Sequence, residues 1–381
     1  MNFDFPTIDY RVQTYLFICF LLMGGIQLLY VVLLHLRFTF YSKKKEMQLS
    51  DNYYLPVTVI IAARNEEDNL YKNLPSILEQ DYPTFEVLVV NHQSTDETNH
   101  ILRAYQEKYK HLRVTEIGKN VHLIHSKKFP ITIGVKGATY KHLVFTDADC
   151  QPASDQWLKL IAGKFDPKIE LVLGYGPYEK KPGFLNKLIR FDTAFIASNY
   201  FSFALAKMPY MGVGRNMAYT KKLFEDTKGF KSHYSIQSGD DDLFIQEATH
   251  KGNFALQIHP ESYCYSEGET SWVDWKNQKQ RHLTTSPHYK VFHKVLLGIY
   301  PVSLLLMLIT FVSLVFVPGY HFWTATIFVS ITILKWLIQG SNLTKLGEQS
   351  LSWSFPLMDW LYAFIIPYIY YSSEKQTKKW K

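Results

Sequence analysis

Residues 56–67, PVTVIIAARNEE, decide the fold. Val57–Ala62 is an apolar, β-branched run suited to a buried first strand. From Asn65 to Gln80 the spacing turns helical, with Leu70, Leu74, Ile77 and Leu78 on one face. Working outward, Phe85–Val90 reads as a second strand, Asp96–Lys110 as a second helix and His142–Phe145 as another short strand. Strands alternating with helices predict an α/β fold with a parallel sheet covered by helices. The short strand leads into Thr146-Asp147-Ala148-Asp149. Open α/β sheets bind ligands at the carboxyl ends of their strands, where this acidic pair falls.

Two carboxylates one residue apart, just past a strand, can share a divalent metal. Mg2+ or Mn2+, hard cations that take oxygen ligands, suit them. Such an ion neutralises charge on a leaving nucleoside diphosphate. Taken alone, Asp-x-Asp is frequent by chance and usually marks a solvated turn.

The chain has 381 residues, 47% hydrophobic and only 20% charged, which excludes a disordered or fibrous protein. Its 26 Phe, 26 Tyr and 8 Trp suit rings placed at a membrane interface. Mean hydropathy of -0.11 averages a polar middle with apolar blocks on both sides. Val12–Leu36 is long enough to span the hydrocarbon core, for which about 20 residues suffice. Val295–Val317 and His321–Ile338 read as a helical hairpin turning at Pro318-Gly319. Leu351–Tyr371, with Pro356, Asp359 and Pro367, is a poorer span. The net charge of +7 concentrates beside these blocks, at Lys43, Lys44 and Lys45 and at Lys375, Lys378, Lys379 and Lys381. The positive-inside rule puts the N-terminus outside and the polar middle in the cytoplasm, with a bacterial inner membrane as the expected home. Three full C-terminal spans conflict with a cytoplasmic basic tail, so one block is expected to be re-entrant or interfacial. Cys19, Cys150 and Cys264 lack metal or redox spacing, and no basic aromatic platform suggests nucleic acid.

Four motifs in order resemble glycosyltransferase family 2. The first combines residues 56–67, Gln80-Asp81-Tyr82-Pro83 and the stretch Val89–Asp96. Thr146-Asp147-Ala148-Asp149 sits where the family keeps its metal-binding Asp-x-Asp. Ser238-Gly239-Asp240-Asp241-Asp242-Leu243 resembles its Gly-Glu-Asp segment, and Gln278-Lys279-Gln280-Arg281-His282 the Gln-x-x-Arg-Trp of membrane-bound members. The flanking spans resemble chitin-oligosaccharide, poly-N-acetylglucosamine and ceramide glycosyltransferases.

The resemblance implies a GT-A fold, Rossmann-like and nucleotide-binding, with N- and C-terminal transmembrane helices. The organisation expected is a short N-terminal segment (1–11), a transmembrane helix (12–36), a basic linker (37–54), the GT-A domain (55–290), a membrane region of two to three helices (291–371) and a basic tail (372–381). It implies an inverting hexosyl- or N-acetylhexosaminyl-transferase acting on a lipid-linked or glycan acceptor beside membrane lipids. The expected donor is a nucleotide-sugar, UDP- or GDP-linked, with other donors open. Asp241 aligns with the base that takes the acceptor's proton, and Asp240 and Asp242 flank it as further catalytic candidates. Asp147 and Asp149 would hold the metal. Ala62, Arg64, Glu66, Asn91, His92, Asp147, Gln278, Arg281 and His282 would line the nucleotide-sugar site. Arg281 can pair a diphosphate through its planar fork, and Gln278 shares its helical face.

Two departures bear on specificity. Asn91 and His92 stand where many members have adjacent Asp residues, one of which accepts from the uracil ring, so the base-reading pattern differs. His282 replaces the usual Trp, which tilts toward single transfer over processive synthesis. A processive polysaccharide synthase and a non-catalytic nucleotide-sugar-binding scaffold are the alternatives. Asp96 reads as a cap on the following helix. Lys127, Lys128 and Lys136 precede the metal motif as candidate phosphate contacts or a solvated basic face. Gly212-Val213-Gly214-Arg215-Asn216 resembles the family's acceptor-side loop. Residues 182–209 suit either an interfacial amphipathic helix or packing within the domain.

Overall fold

β1 (Val57–Ala63) is buried at every position, as a strand apolar but for Thr58 and flanked by parallel neighbours should be, and Thr58 is satisfied by donating to Glu86 at 2.7 Å. The computed structural model describes residues 9–42, 54–118, 126–249 and 252–372. The lysine run Lys43–Lys45 and the tail lysines lie outside these residues. β2 (Phe85–His92), β3 (Leu112–Ile117) and β4 (His142–Asp147) join β1 in the parallel order β3-β2-β1-β4. β5 (Cys150–Pro152) follows β4 directly. β6 (Leu171–Leu173), β7 (Met217–Thr220) and β8 (Phe254–Leu256) extend the sheet in the order β4-β7-β6-β8. β7 runs antiparallel to both neighbours, so the sheet is mixed in its second half. β9 (Cys264–Ser266) pairs with β5 in a separate antiparallel ribbon.

The helix Glu67–Leu78 buries Leu70, Leu74, Ile77 and Leu78 against Val57, Val59, Ile61, Val87, Val89 and Val144. It starts later than its periodicity suggests because Asn65 sits at φ 53°, a left-handed conformation that asparagine tolerates. β2 and β4 each run two residues beyond their apolar pattern. The ladder to β1 continues through Ala63 opposite Asn91 and Ala62 opposite Asp147, so these polar residues close strands. The helix Phe184–Leu205 buries Leu188, Ile189, Phe191, Phe195, Phe201 and Phe203, so packing within the domain accounts for its apolar residues.

Residues up to Phe40 and Lys290–Tyr371 form one compact unit, and Tyr41–Tyr289 belong to the other. Among the described residues, three helices are long and apolar enough to cross a membrane: Tyr10–Phe40, Val291–Leu314 and His321–Lys345. The first contains a π-helical turn at Val31–His35. Phe355–Tyr371 is shorter at 17 residues and carries Pro367. Inside this unit the Lys335 ammonium donates to Asp359 at 2.8 Å and to Gln27 Oε1 at 2.6 Å. The Tyr300 hydroxyl donates to the other Asp359 oxygen at 2.9 Å, and Gln27 donates to Ser303 at 2.8 Å. Ionisable side chains among apolar helices are tolerated when paired and hydrogen-bonded, as these are.

Candidate active site

Parallel pairing lines up the carboxyl ends of β1, β2 and β4. Asp147 lies opposite Ala62, and Asn91 opposite Ala63, so the two flank β1. The loops leaving β1 and β2 are laced together. Asn65 Oδ1 accepts from the Thr95 amide at 2.8 Å, and the Asn65 amide donates to Ser94 at 2.9 Å. The Glu66 amide donates to Thr98 Oγ1 at 3.0 Å, while its carboxylate accepts from Asn69. Asp96 accepts from the Thr98 amide at 3.2 Å, the capping contact its position suggested, and also from the Glu67 amide. Asn91 donates to Asn99 and accepts from Ser94 at 2.5 Å. His92 is fully buried, its ring 6.0 Å from that of Phe129. The two residues expected to read the base are therefore drawn inward. Ala62 is buried as well, and Arg64 is half-buried.

Asp147 ends β4, and Asp149 is held by the β5–β9 ribbon, accepting from Ser266 Oγ at 3.2 Å. One oxygen from each carboxylate and the Cys150 sulfur lie within 4.8 Å of one another. Two oxygen donors at one strand end fit a hard divalent ion, and one of the two carboxylates already meets a positive charge: the Lys127 ammonium pairs with Asp147. The same ammonium lies 3.8 Å from Asp240. Burial alone would lower the Lys127 pKa, but Asp147 and Asp240 outweigh it and hold it above its ordinary value.

The acidic triplet opens the helix Asp242–Ala248. Gly239 precedes it at φ 97°, a backbone region glycine enters freely. Asp241 Oδ1 accepts from the Asp242 amide at 2.7 Å, and Oδ2 from the Gly214 amide at 3.1 Å. Burial, then the charges of Asp240 and Asp242, push the Asp241 carboxyl up to about 7 against those two hydrogen bonds. A carboxylate raised to this range can take up a proton near neutral pH. A methyl group on Gly214 would meet Asp240, Lys127 and Asp241 at 3.5, 3.6 and 3.7 Å, so all four residues face one space. Asp242 is different. Its buried carboxylate accepts from Thr285 at 2.5 Å, Tyr289 at 2.6 Å and the Leu243 amide at 2.7 Å. Three hydrogen bonds hold this carboxylate in place.

The helix Trp272–Leu283 carries Gln278, the half-buried Arg281 and the exposed His282. Gln278 lies 3.4 Å from the Glu269 carboxylate. This helix is fixed by Lys279, whose ammonium meets both oxygens of Asp192 at 2.9 and 2.8 Å in a buried ion pair. Three features escaped the sequence reading: the Lys127 bridge, the Lys279–Asp192 pair and the Thr285–Tyr289 clasp on Asp242. Lys128 is also buried, donating to the carbonyls of His233 and Ile236 at 2.6 and 2.9 Å. It braces the segment leading into the triplet, and burial lowers its pKa to about 8. None of these carries a local signal, because each joins segments remote in sequence.

Residues 58–227 match the family model for Glycosyl transferase family 2. Glycosyltransferase AglE of Haloferax volcanii is 29% identical over 218 residues, covering 55% of this chain and 66% of that protein. Poly-beta-1,6-N-acetyl-D-glucosamine synthase of Staphylococcus aureus is 26% identical over 149 residues, covering 39% of this chain and 35% of the synthase. The matched stretches thus span just under two thirds of the first relative and about a third of the second. A mannosyltransferase from Pyrobaculum calidifontis, solved in complex with GDP-Man and Mn2+, superposes over 92% of this chain and 99% of its own. The TM-score is 0.55 at 18% identity, a likeness of fold. Residues 58–227 thus resemble glycosyltransferase family 2, the fold is of GT-A type, and the chain also has apolar helices towards both ends of its sequence.

Proposed function

We propose that the protein is a membrane-anchored, metal-dependent inverting glycosyltransferase, moving a sugar from a nucleotide-sugar to a lipid-linked or glycan acceptor. The observation that carries this reading is the Lys127 bridge. One ammonium meets Asp147 of the strand-end pair and Asp240 of the triplet, so metal donors and base share a space. Asp241 takes the proton of the acceptor hydroxyl as the oxygen attacks the anomeric carbon in line with the departing diphosphate. Asp147 and Asp149 would hold Mg2+ or Mn2+, which when bound neutralises charge on the leaving nucleoside diphosphate. Arg281 supplies a planar hydrogen-bonding fork for the diphosphate, with Gln278 three residues earlier on the same helix.

Three spans with the N-terminus outside would leave the domain cytoplasmic. They also leave the basic tail on that side if Phe355–Tyr371, at 17 residues, does not cross. This removes the conflict between span count and charge, and supports a catalytic domain at the cytoplasmic face of the membrane.

The test is nucleotide release by purified, detergent-solubilised protein from a panel of UDP-, GDP-, dTDP- and CMP-sugars, with lipid extract as acceptor source. Release from one donor with Mn2+ or Mg2+, lost with EDTA and in Asp149→Ala, supports the transferase. Tight donor binding without turnover in every arm supports the scaffold.

A further inference from the structure

We infer that Thr285 and Tyr289 are positioning residues for the base: through Asp242 they fix Asp241 and tie it to the helix that carries Gln278 and Arg281. The inference rests on the reading of Asp241 as base and extends it to side chains outside all four motifs.

Asp242 is 5% exposed, and a carboxylate so placed needs hydrogen-bond donors. It has a backbone amide of its own helix, Leu243, and two hydroxyls from residues 285 and 289. The Thr285 hydroxyl also lies 2.9 Å from the His282 carbonyl. It has one proton, and the charged acceptor at 2.5 Å takes it. Burial, then the adjacent carboxylate, raise the Tyr289 phenol well above its ordinary value, so it stays a donor at working pH. Burial likewise raises Asp242, and the two hydroxyls pull it back toward the ionised form.

The consequence reaches the base through the backbone. Asp241 and Asp242 are consecutive, and the Asp242 amide that holds Asp241 Oδ1 belongs to the residue the hydroxyls clamp. Thr285 lies just past the C-terminus of the helix Trp272–Leu283, stationed by Lys279 and Asp192. The proposed diphosphate helix and the base therefore share one hydrogen-bonded link. Losing the hydroxyls leaves Asp242 buried without donors and frees the Asp241–Asp242 peptide to shift.

Full-length Thr285→Val/Tyr289→Phe in detergent tests this by transfer kinetics and hydrogen exchange of residues 240–248. The expected result is a kcat loss of about 10- to 100-fold with donor KM within about two-fold, the penalty of a misplaced group. Exchange over 240–248 accelerates, while Thr285→Ser, which keeps the hydroxyl, restores both readouts. Unchanged kcat, or unchanged exchange over 240–248, overturns the inference. If the double variant does not fold, Tyr289→Phe alone is read against Thr285→Ser with the same criteria. Wild-type protein inactive on every donor would count against the transferase reading, whereas the exchange comparison still judges the clasp.

Discussion

Transfer should rise with pH through neutrality, and the reason lies in one carboxyl. An ordinary aspartate is fully ionised above pH 6, so a reaction using one as base is flat from pH 6 to 8. Asp241 is pushed up to about 7 by burial and by the charges of Asp240 and Asp242. The base form is the deprotonated one, so it is depleted below this value and filled above it. A single site with that midpoint is about one-tenth ionised at pH 6 and about nine-tenths at pH 8, a rise of roughly ten-fold. The assay is kcat/KM for acceptor at saturating metal, since that ratio reports the free enzyme's groups. Asp240→Asn removes one of the two neighbouring charges and should move the midpoint to lower pH. A flat wild-type profile over this range, or one that falls, refutes the assignment of Asp241 as a base with a raised pKa.

Asp192→Asn breaks the buried pair with Lys279 and leaves an uncompensated ammonium, which should destabilise the domain by about 3–5 kcal/mol. Chemical denaturation reads this, and Asp192→Asn/Lys279→Met should recover most of the loss. In the helical unit, Lys335→Met strands the Asp359 carboxylate among apolar helices. The thermal midpoint in detergent should fall, and Lys335→Met/Asp359→Leu should restore it. Asp149→Ala should weaken Mn2+ binding at least ten-fold by titration calorimetry, as expected on losing one of two carboxylate ligands. Unaltered metal affinity would move the ion away from Asp149.

The first half of the domain was legible because its signals are local. Val57–Ala62 is too continuously apolar for a half-exposed strand, and the face carrying Leu70, Leu74 and Ile77 gives a buried helix. Asp147 and Asp149 were placed by a general rule about strand ends, and register with β1 set Asp147 and Asn91 on either side of that strand's carboxyl end. The second half was less legible. β6, β8 and β9 are three residues each, too short for a period, and their pairing depends on partners far along the chain. The helix Phe184–Leu205 looks amphipathic in sequence, yet its two basic positions do not share a water face: Lys187 is exposed and Arg190 is buried. Among three consecutive aspartates, sequence could not separate roles that depend on what each carboxylate meets. Asp240 meets Lys127, Asp241 meets the Gly214 amide, and Asp242 meets two hydroxyls more than forty residues away.

Asp241→Asn tests the central claim most directly, assayed in parallel for sugar transfer and for nucleotide-sugar binding with metal present. The substitution keeps size and removes only the capacity to take a proton. Transfer reduced to background with donor affinity within about two-fold of wild type is the predicted result, as for an interaction made only in the transition state. Transfer retained, or transfer and binding lost together, would contradict it.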